Sequence, residues 1–400
     1  MMPANQASPG HLLQLIRSGE ATTRSELLRA TGLSRSTVGL RLDQLFGAGW
    51  LRDTAGASTG GRPSALLEFD ASHAVVLAVD LETRHARAAV LDLAGEVLAE
   101  TSGPVLVTDG PAKVLDTLAG WFLPLLAEAG TEPGKVAGIG MSVPGPVDFD
   151  LGQVIQPPIM PGWDRFPIRE QMQTAYAEQV GRSLEPGPVP VLVDNDANLM
   201  AYAEHRAGHP DCSAFLLIKA STGIGAGVVV GDEVYRGIDG GAGDIGHIRL
   251  HDRPDALCMC GSYGCLAAVA SGRALAGQLS ALGIPTTSGS GVHQHLADGQ
   301  PDAIRLAREA GQRVGEVLAT VVTLLNPGVL MLAGDLAGAP FMTGVRELLY
   351  QRAMPRTTAN LNVVTAQLGD RAGLMGAGEM VVEHLYSPDR ADARLDAMAT

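Results

Sequence analysis

Three thiols fall within eight residues, at Cys258, Cys260 and Cys265 of the stretch CMCGSYGC. Thiols so close together can cross-link, share a metal ion, or simply be small buried side chains. A disulfide framework fits poorly. The opening residues MMPANQASPGHLLQ lack the basic segment and apolar run of a secretory leader, so the thiols are expected in a reducing cytoplasm. The fourth cysteine, Cys212, lies apart and reads as an ordinary thiol. A second group able to do chemistry sits in LSRSTVGLRLDQLFGAGWL (33–51). There Arg35, Ser36, Thr37, Leu40 and Arg41 cluster near the start of a helical pattern. Small polar and basic side chains so placed suit a helix that enters the DNA major groove.

The elements that must position the second group are legible. GHLLQLIRSG (10–19) is a short helix ended by Gly19. Thr23 and Glu26 match a capping box, which starts a helix through Leu27 and Leu28 that stops at Gly32. Ser34 is a good N-cap for the next helix, whose Val38, Leu42, Leu45 and Phe46 form one buried stripe. Ser36, Thr37 and Leu40 point away from that stripe, and Arg41 lies at its margin. The following RDTAGASTGGRPSALLEF has two strand-like runs around a Gly-rich loop. This is the pattern of a wing, with Gly60-Gly61-Arg62-Pro63 presenting Arg62 to phosphate or the minor groove. Residues 1–70 therefore read as a winged helix-turn-helix; the bland alternative is a small helical subdomain for protein contacts.

Charge divides the chain the same way. Seven arginines against Glu20, Glu26, Asp43 and Asp53 make residues 1–65 formally +3, which leaves −17 for the rest of a 400-residue chain of net charge −14. A basic head on an acidic body suggests two tasks on one polypeptide. With 46% hydrophobic and 18% charged residues, the chain is not disordered. Its late apolar stretch VLATVVTLLNPGVLMLAG is broken by Asn326-Pro327 and reads as helix, turn and strand, not a membrane span.

The body repeats itself. HAVVLAVDLETRHARAAVLDLAGEVLAE (73–100) and SAFLLIKASTGIGAGVVVGDEVYRG (213–237) each show three strand-like runs joined by tight turns. Helical segments at 111–129, 165–181, 270–282 and 301–325 lie between and after them. Two such units far apart in sequence imply an α/β architecture with two similar lobes and a cleft between them. The first lobe is expected over 71–195, with a helix at 373–386 returning to it, and the second over 196–372.

Six motifs carry a family resemblance: GMSVPGPVD (140–148), PGW (161–163), VDNDAN (193–198), STGIGAG (221–227), GAGDIGH (241–247) and CMCGSYGCL (258–266). From about residue 9 to 385 the chain resembles the ROK family of repressors, open reading frames and sugar kinases. The resemblance implies an N-terminal winged helix-turn-helix followed by a two-lobed actin-like, ribonuclease-H-like body. Members with the winged head are sugar-responsive transcription factors; those without it are mostly kinases. The resemblance also implies a zinc site at His247, Cys258, Cys260 and Cys265. One imidazole and three thiolates make a closed tetrahedral set, so this zinc is structural and not catalytic. Gly261 and Gly264 let the chain wrap the ion. Asn195, Asp196, Asp244 and His247 fall where the family binds sugar, with Asp196 at the position of the kinase base.

Departures from the family pattern set the functional expectation. The first phosphate motif, Asp-x-Gly-Gly-Thr in the family, is Asp80-Leu81-Glu82-Thr83-Arg84 here. Side chains replace glycines where backbone amides must approach phosphate, and Glu82 adds like charge. The family's Gly-Gly near adenine is Gly334-Asp335; its sugar-site Glu is Asp244, a further Glu is Ala267, and an Asn is Ile159. The expected molecule is thus not an enzyme. It is a cytoplasmic transcriptional regulator, a repressor, that binds double-stranded operator DNA and a sugar or sugar-like effector. It is expected to form a homodimer or tetramer through the second lobe, with structural zinc and no membrane contact. The alternatives are an ATP-dependent sugar kinase with an accessory DNA-binding head, and a zinc-stabilised scaffold for partner proteins.

Overall fold

Hydroxyl side chains start each helix of the N-terminal segment in the computed structural model, which describes residues 7–55, 65–181 and 188–398. Ser8 accepts from the His11 amide ahead of helix Pro9–Arg17. Thr23 and Glu26 complete a reciprocal capping box on helix Arg24–Thr31, which closes on Gly32 at φ 68°. Ser34 accepts from the Thr37 amide at the start of helix Arg35–Gly47. Val38, Leu42 and Leu45 are buried; Phe46, the fourth residue of the expected stripe, is only half-buried. Strands Leu51–Ala55 and Ala65–Phe69 pair antiparallel. The loop between them, with Arg62, lies outside the described residues.

The body holds two five-stranded sheets of the same design. In the first, Val75–Leu81 pairs antiparallel with His85–Asp92, which pairs antiparallel with Val97–Pro104. On its other side Val75–Leu81 runs parallel to Val136–Val143, which runs parallel to Val191–Asn195. In the second, Ala214–Ala220, Ile224–Val230 and Glu233–Val234 form the antiparallel part, and Val329–Ala333 and Asn362–Thr365 the parallel part. The third antiparallel run is only two residues long, shorter than its sequence suggests.

Strand alternation places two cores on the first sheet. Val75, Leu77, Val79 and Leu81 face Phe122 and Leu118 of helix Pro111–Glu128 and Met172 of helix Ile168–Val180. Val76 and Ala78 point the other way, into a cluster shared by helix Ala372–Tyr386 and by Leu12, Leu42 and Trp50 of the N-terminal segment. The winged segment therefore rests on the body through common core. Tyr386 is the centre of that contact. Its ring meets Trp50 at 5.2 Å and Phe69 at 5.0 Å, and its hydroxyl lies 2.7 Å from His73 Nε2.

A last helix, Pro388–Met398, extends the chain past the expected final element. It lies against Pro9–Arg17, where the Gly10 amide donates to Asp392 Oδ1 at 2.7 Å. A Cβ on Gly10 would stand 2.1 Å from the Pro388 carbonyl oxygen, so only glycine permits this approach.

Candidate functional site

The carboxyl ends of five strands converge between the lobes, where open α/β sheets commonly bind ligands. Val75–Leu81 delivers Glu82 and Thr83, Val136–Val143 delivers Pro144 and Gly145, and Val191–Asn195 delivers Asn195 itself. From the second lobe, Ala214–Ala220 delivers Lys219 and Ser221, and Val329–Ala333 delivers Asp335. Asn195, Asp196, Asp244 and His247 all line this one cavity of about 160 Å³. Ile159 and Thr83 share its wall.

Asn195 and Asp196 open the helix Asp196–Gly208 and are partly consumed by it. Asn195 Oδ1 accepts from the amides of Ala197 (2.9 Å) and Asn198 (3.3 Å), and its Nδ2 donates to the Gly145 carbonyl at 2.8 Å. Asp196 Oδ1 accepts from the Ala197 amide at 2.8 Å. Its other oxygen accepts from Lys219 Nζ at 2.7 Å. Only 14% and 15% of the Lys219 and Asp196 side chains are exposed. Burial alone would depress the ammonium. Asp196, then Asp80 and Glu82, outweigh burial and raise its pKa above the ordinary value. The signal for Lys219 was present in AFLLIKA, where a single charge interrupts an apolar strand.

Acids surround that lysine. Asp80 is buried and accepts from Ser142 Oγ at 2.6 Å; burial pushes its carboxyl up to about 6, against Lys219 and the Ser142 bond. Asp335 is raised by burial and then by Glu82. Both line a second compartment of about 560 Å³ that also touches Glu82, Lys219 and Asp370. Asp244 is raised by burial and by Asp239, with His247 opposing. The STGIGAG stretch forms a tight turn, with the Ser221 amide donating to the Gly223 carbonyl, between paired strands.

The second lobe brings the imidazole and three thiols together. One ligand atom from each of His247, Cys258, Cys260 and Cys265 lies within 4.8 Å of the others. His247 Nδ1 stands 3.7 Å from Cys258 Sγ, and Cys260 Sγ 3.8 Å from Cys265 Sγ. Tetrahedral ligands on bonds of about 2.3 Å would be about 3.8 Å apart, so the set can hold a metal ion. Gly261 and Gly264 turn the loop at φ 83° and 79°, and a Cβ at Gly264 would press on the Arg253 and Leu250 carbonyls. Burial would raise the Cys260 thiol, but bonds from Ser262, Cys258 and Cys265 outweigh it and hold it at about 7. Burial, then Cys260 and Cys258, push Cys265 up to about 12. Cys212 stands apart from the set and donates to the Ala214 carbonyl.

On helix Arg35–Gly47, Arg35, Ser36 and Leu40 are exposed, Leu40 by 59%. The Ser34 hydroxyl ties down those of Ser36 (2.8 Å) and Thr37 (2.9 Å). Arg41 is half-buried, its Nε donating to the Ala7 carbonyl and one terminal nitrogen to Gln44. It braces the N-terminal segment instead of standing free beside Arg35.

Contacts unseen in the sequence link cleft and winged segment. Arg236 crosses from the second lobe to buried Asp194 at 2.7 Å and covers the Phe149 ring at 4.1 Å. Arg206, in the last turn of the helix that begins at Asp196, lies 3.6 Å from Glu379. One turn along, Glu383 accepts from Arg17 at 3.2 Å, as does the Tyr386 carbonyl.

Comparison with known proteins agrees with this geometry. A family model described as the ROK family matches residues 76–384. The xylose repressor of Caldicellulosiruptor bescii is 25% identical over 393 residues, covering 94% of this chain and 95% of that protein. The glucokinase of Streptomyces coelicolor is 31% identical over 335 residues, covering 77% and 98%. A crystal structure of a ROK family transcriptional regulator, a homolog of the Escherichia coli MLC protein, superposes with a TM-score of 0.79 at 24% identity, covering 98% and 99%.

Proposed function

Since the chain belongs to the ROK family, we propose that it is a transcriptional repressor whose winged head binds operator DNA and whose actin-like body senses a sugar or sugar-like molecule. The observation that carries this reading is the Lys219–Asp196 pair. A sugar kinase needs a free carboxylate at the substrate hydroxyl and a cradle of donors for phosphate. Here one oxygen of Asp196 is taken by Lys219 and the other by a backbone amide. The compartment that would hold nucleotide presents Asp80, Glu82, Asp335 and Asp370 to a polyanion. Similarity to a glucokinase favours the second reading, an ATP-dependent sugar kinase with a DNA-binding head; the acidic compartment weighs against it.

In this proposal Asn195, Asp196, Asp244 and His247 contact the effector. Arg35, Ser36, Thr37, Leu40, Arg41 and Arg62 contact or support contacts to DNA. His247, Cys258, Cys260 and Cys265 hold structural zinc, which in a closed set supplies loop order and no open position for water. A cytoplasmic homodimer, or a tetramer, formed through the second lobe places two heads on two half-sites. No helix of the described residues is long and apolar enough to cross a membrane.

The switch follows from the contacts. Effector binding at the start of helix Asp196–Gly208 bears on Arg206 at its end, then on Glu379 and Glu383, then on Arg17 of the head. An effector shifts the heads only by binding closed and open bodies with different affinity. The test is operator release across a panel of sugars and derivatives, with ATP calorimetry alongside. A compound that releases operator from wild type, but not from Asp196→Asn, is expected. Sugar phosphorylation, or micromolar ATP affinity, would overturn the assignment.

A further inference from the structure

A separate concavity of about 240 Å³ lies away from the cleft, where the first lobe meets the C-terminal helices. Three basic side chains line it from three helices. Arg169 comes from Ile168–Val180, His384 from Ala372–Tyr386, and Arg390 from Pro388–Met398. Among the described residues Asp150 is the only acid on its walls.

None of the three has an acidic partner among the described residues. The two terminal nitrogens of Arg169 donate to the Asp150 and Phe149 backbone carbonyls, each at 3.1 Å, while its buried Nε has no acceptor. Arg390 makes no hydrogen bond or ion pair among the described residues, and it is exposed. The His384 imidazole is held below its ordinary value by burial, then by Arg390, then by Arg169. The three side chains thus share one electrostatic neighbourhood. A half-buried guanidinium with an orphan donor, beside a second guanidinium and an imidazole, lacks the counter-charge that such groups ordinarily find.

We propose that this pocket binds a small oxyanion, a phosphate group either free or carried by a phosphorylated metabolite. Arginine forks recognise such oxygens with paired donors. The position has a structural consequence. A bound oxyanion would tie Arg169 of the first lobe to His384 and Arg390 of the helices on which the winged segment rests, next to the Gly10–Asp392 contact.

The test is calorimetric titration of the full chain with inorganic phosphate and, separately, with glucose 6-phosphate, at ionic strength held constant with chloride. One saturable site per chain is expected, weakened at least tenfold in Arg390→Ala and in His384→Gln. Arg390 is exposed, so its replacement leaves the fold intact. Tighter binding of glucose 6-phosphate would assign the site to a phosphorylated metabolite; equal or weaker binding would assign it to free phosphate. Absence of saturable binding by either probe, or equal affinity in wild type and Arg390→Ala, would overturn the proposal.

Discussion

Lys219 Nζ lies 2.7 Å from Asp196 Oδ2, on the wall of the cavity between the two sheets. The strand Ala214–Ala220 belongs to the second sheet, and Asp196 follows the last strand of the first. The pair therefore ties a strand end of the second sheet to the residue that follows the last strand of the first, on the wall of the cavity. It also occupies the carboxylate oxygen that a substrate hydroxyl would need.

Breaking this pair from one side leaves a charge with little solvent. Lys219→Met is expected to cost roughly 3 kcal/mol, the typical penalty for removing one partner of a buried ion pair. Adding Asp196→Asn should recover part of that loss, since the orphan charge is then gone. Denaturant midpoints of the two single variants and the double variant measure the coupling. Losses that simply add would mean the two side chains do not interact.

Metal content tests the cysteine loop. Protein purified without chelator is expected to carry one zinc per chain, and Cys260→Ser should lower that stoichiometry because it removes one of the four ligands. Cys260 is exposed and so carries little packing load. Elemental analysis that finds no zinc in the wild type would reject the closed Cys₃His site.

Glu379 supplies a pH signature. Burial, with Glu383 adding and Arg206 opposing, pushes its carboxyl from 4.5 up to about 7. A carboxyl raised on folding favours the native state when protonated. Its contribution is therefore full below pH 4.5, falls as pH rises to about 7, and is flat above that. Glu379→Gln should be more stable than wild type above pH 7 by about 1–3 kcal/mol, with the difference gone near pH 4. Paired unfolding curves across that window are the measurement. A difference independent of pH would show that the carboxyl is not perturbed.

DNA binding separates phosphate contacts from base contacts. Arg35→Ala should weaken operator and unrelated DNA alike, and reduce the slope of log affinity against log salt by about one. Ser36→Ala and Leu40→Ala should instead change which bases are preferred, with the slope kept. Fluorescence anisotropy at several salt concentrations distinguishes the two. An unchanged slope in Arg35→Ala would remove that residue from the phosphate interface.

What the sequence by itself determined is local. The Thr23–Glu26 box, the Ser34 cap and the left-handed Gly32 are each written in a few adjacent residues, because capping bonds span three or four positions. The thiols of CMCGSYGC are close along the chain, and the turn glycines that fold them together lie within the same loop. The strand–turn–strand runs at 73–100 and 213–237 announced both sheets for the same reason. Tertiary structure alone decided which distant groups meet. Lys219 reaches Asp196 only because one sheet's strand end abuts the other's. Arg17 finds Glu383 only because helix Ala372–Tyr386 returns under the winged segment. Helix Pro388–Met398 has a weakly apolar sequence whose buried side chains are only Ala391 and Leu395. Its place is set by a partner some 380 residues away, at Gly10, whose missing side chain admits the Pro388 carbonyl. Pairings of that kind depend on the docking of whole elements, and no short window of sequence contains the information to specify them.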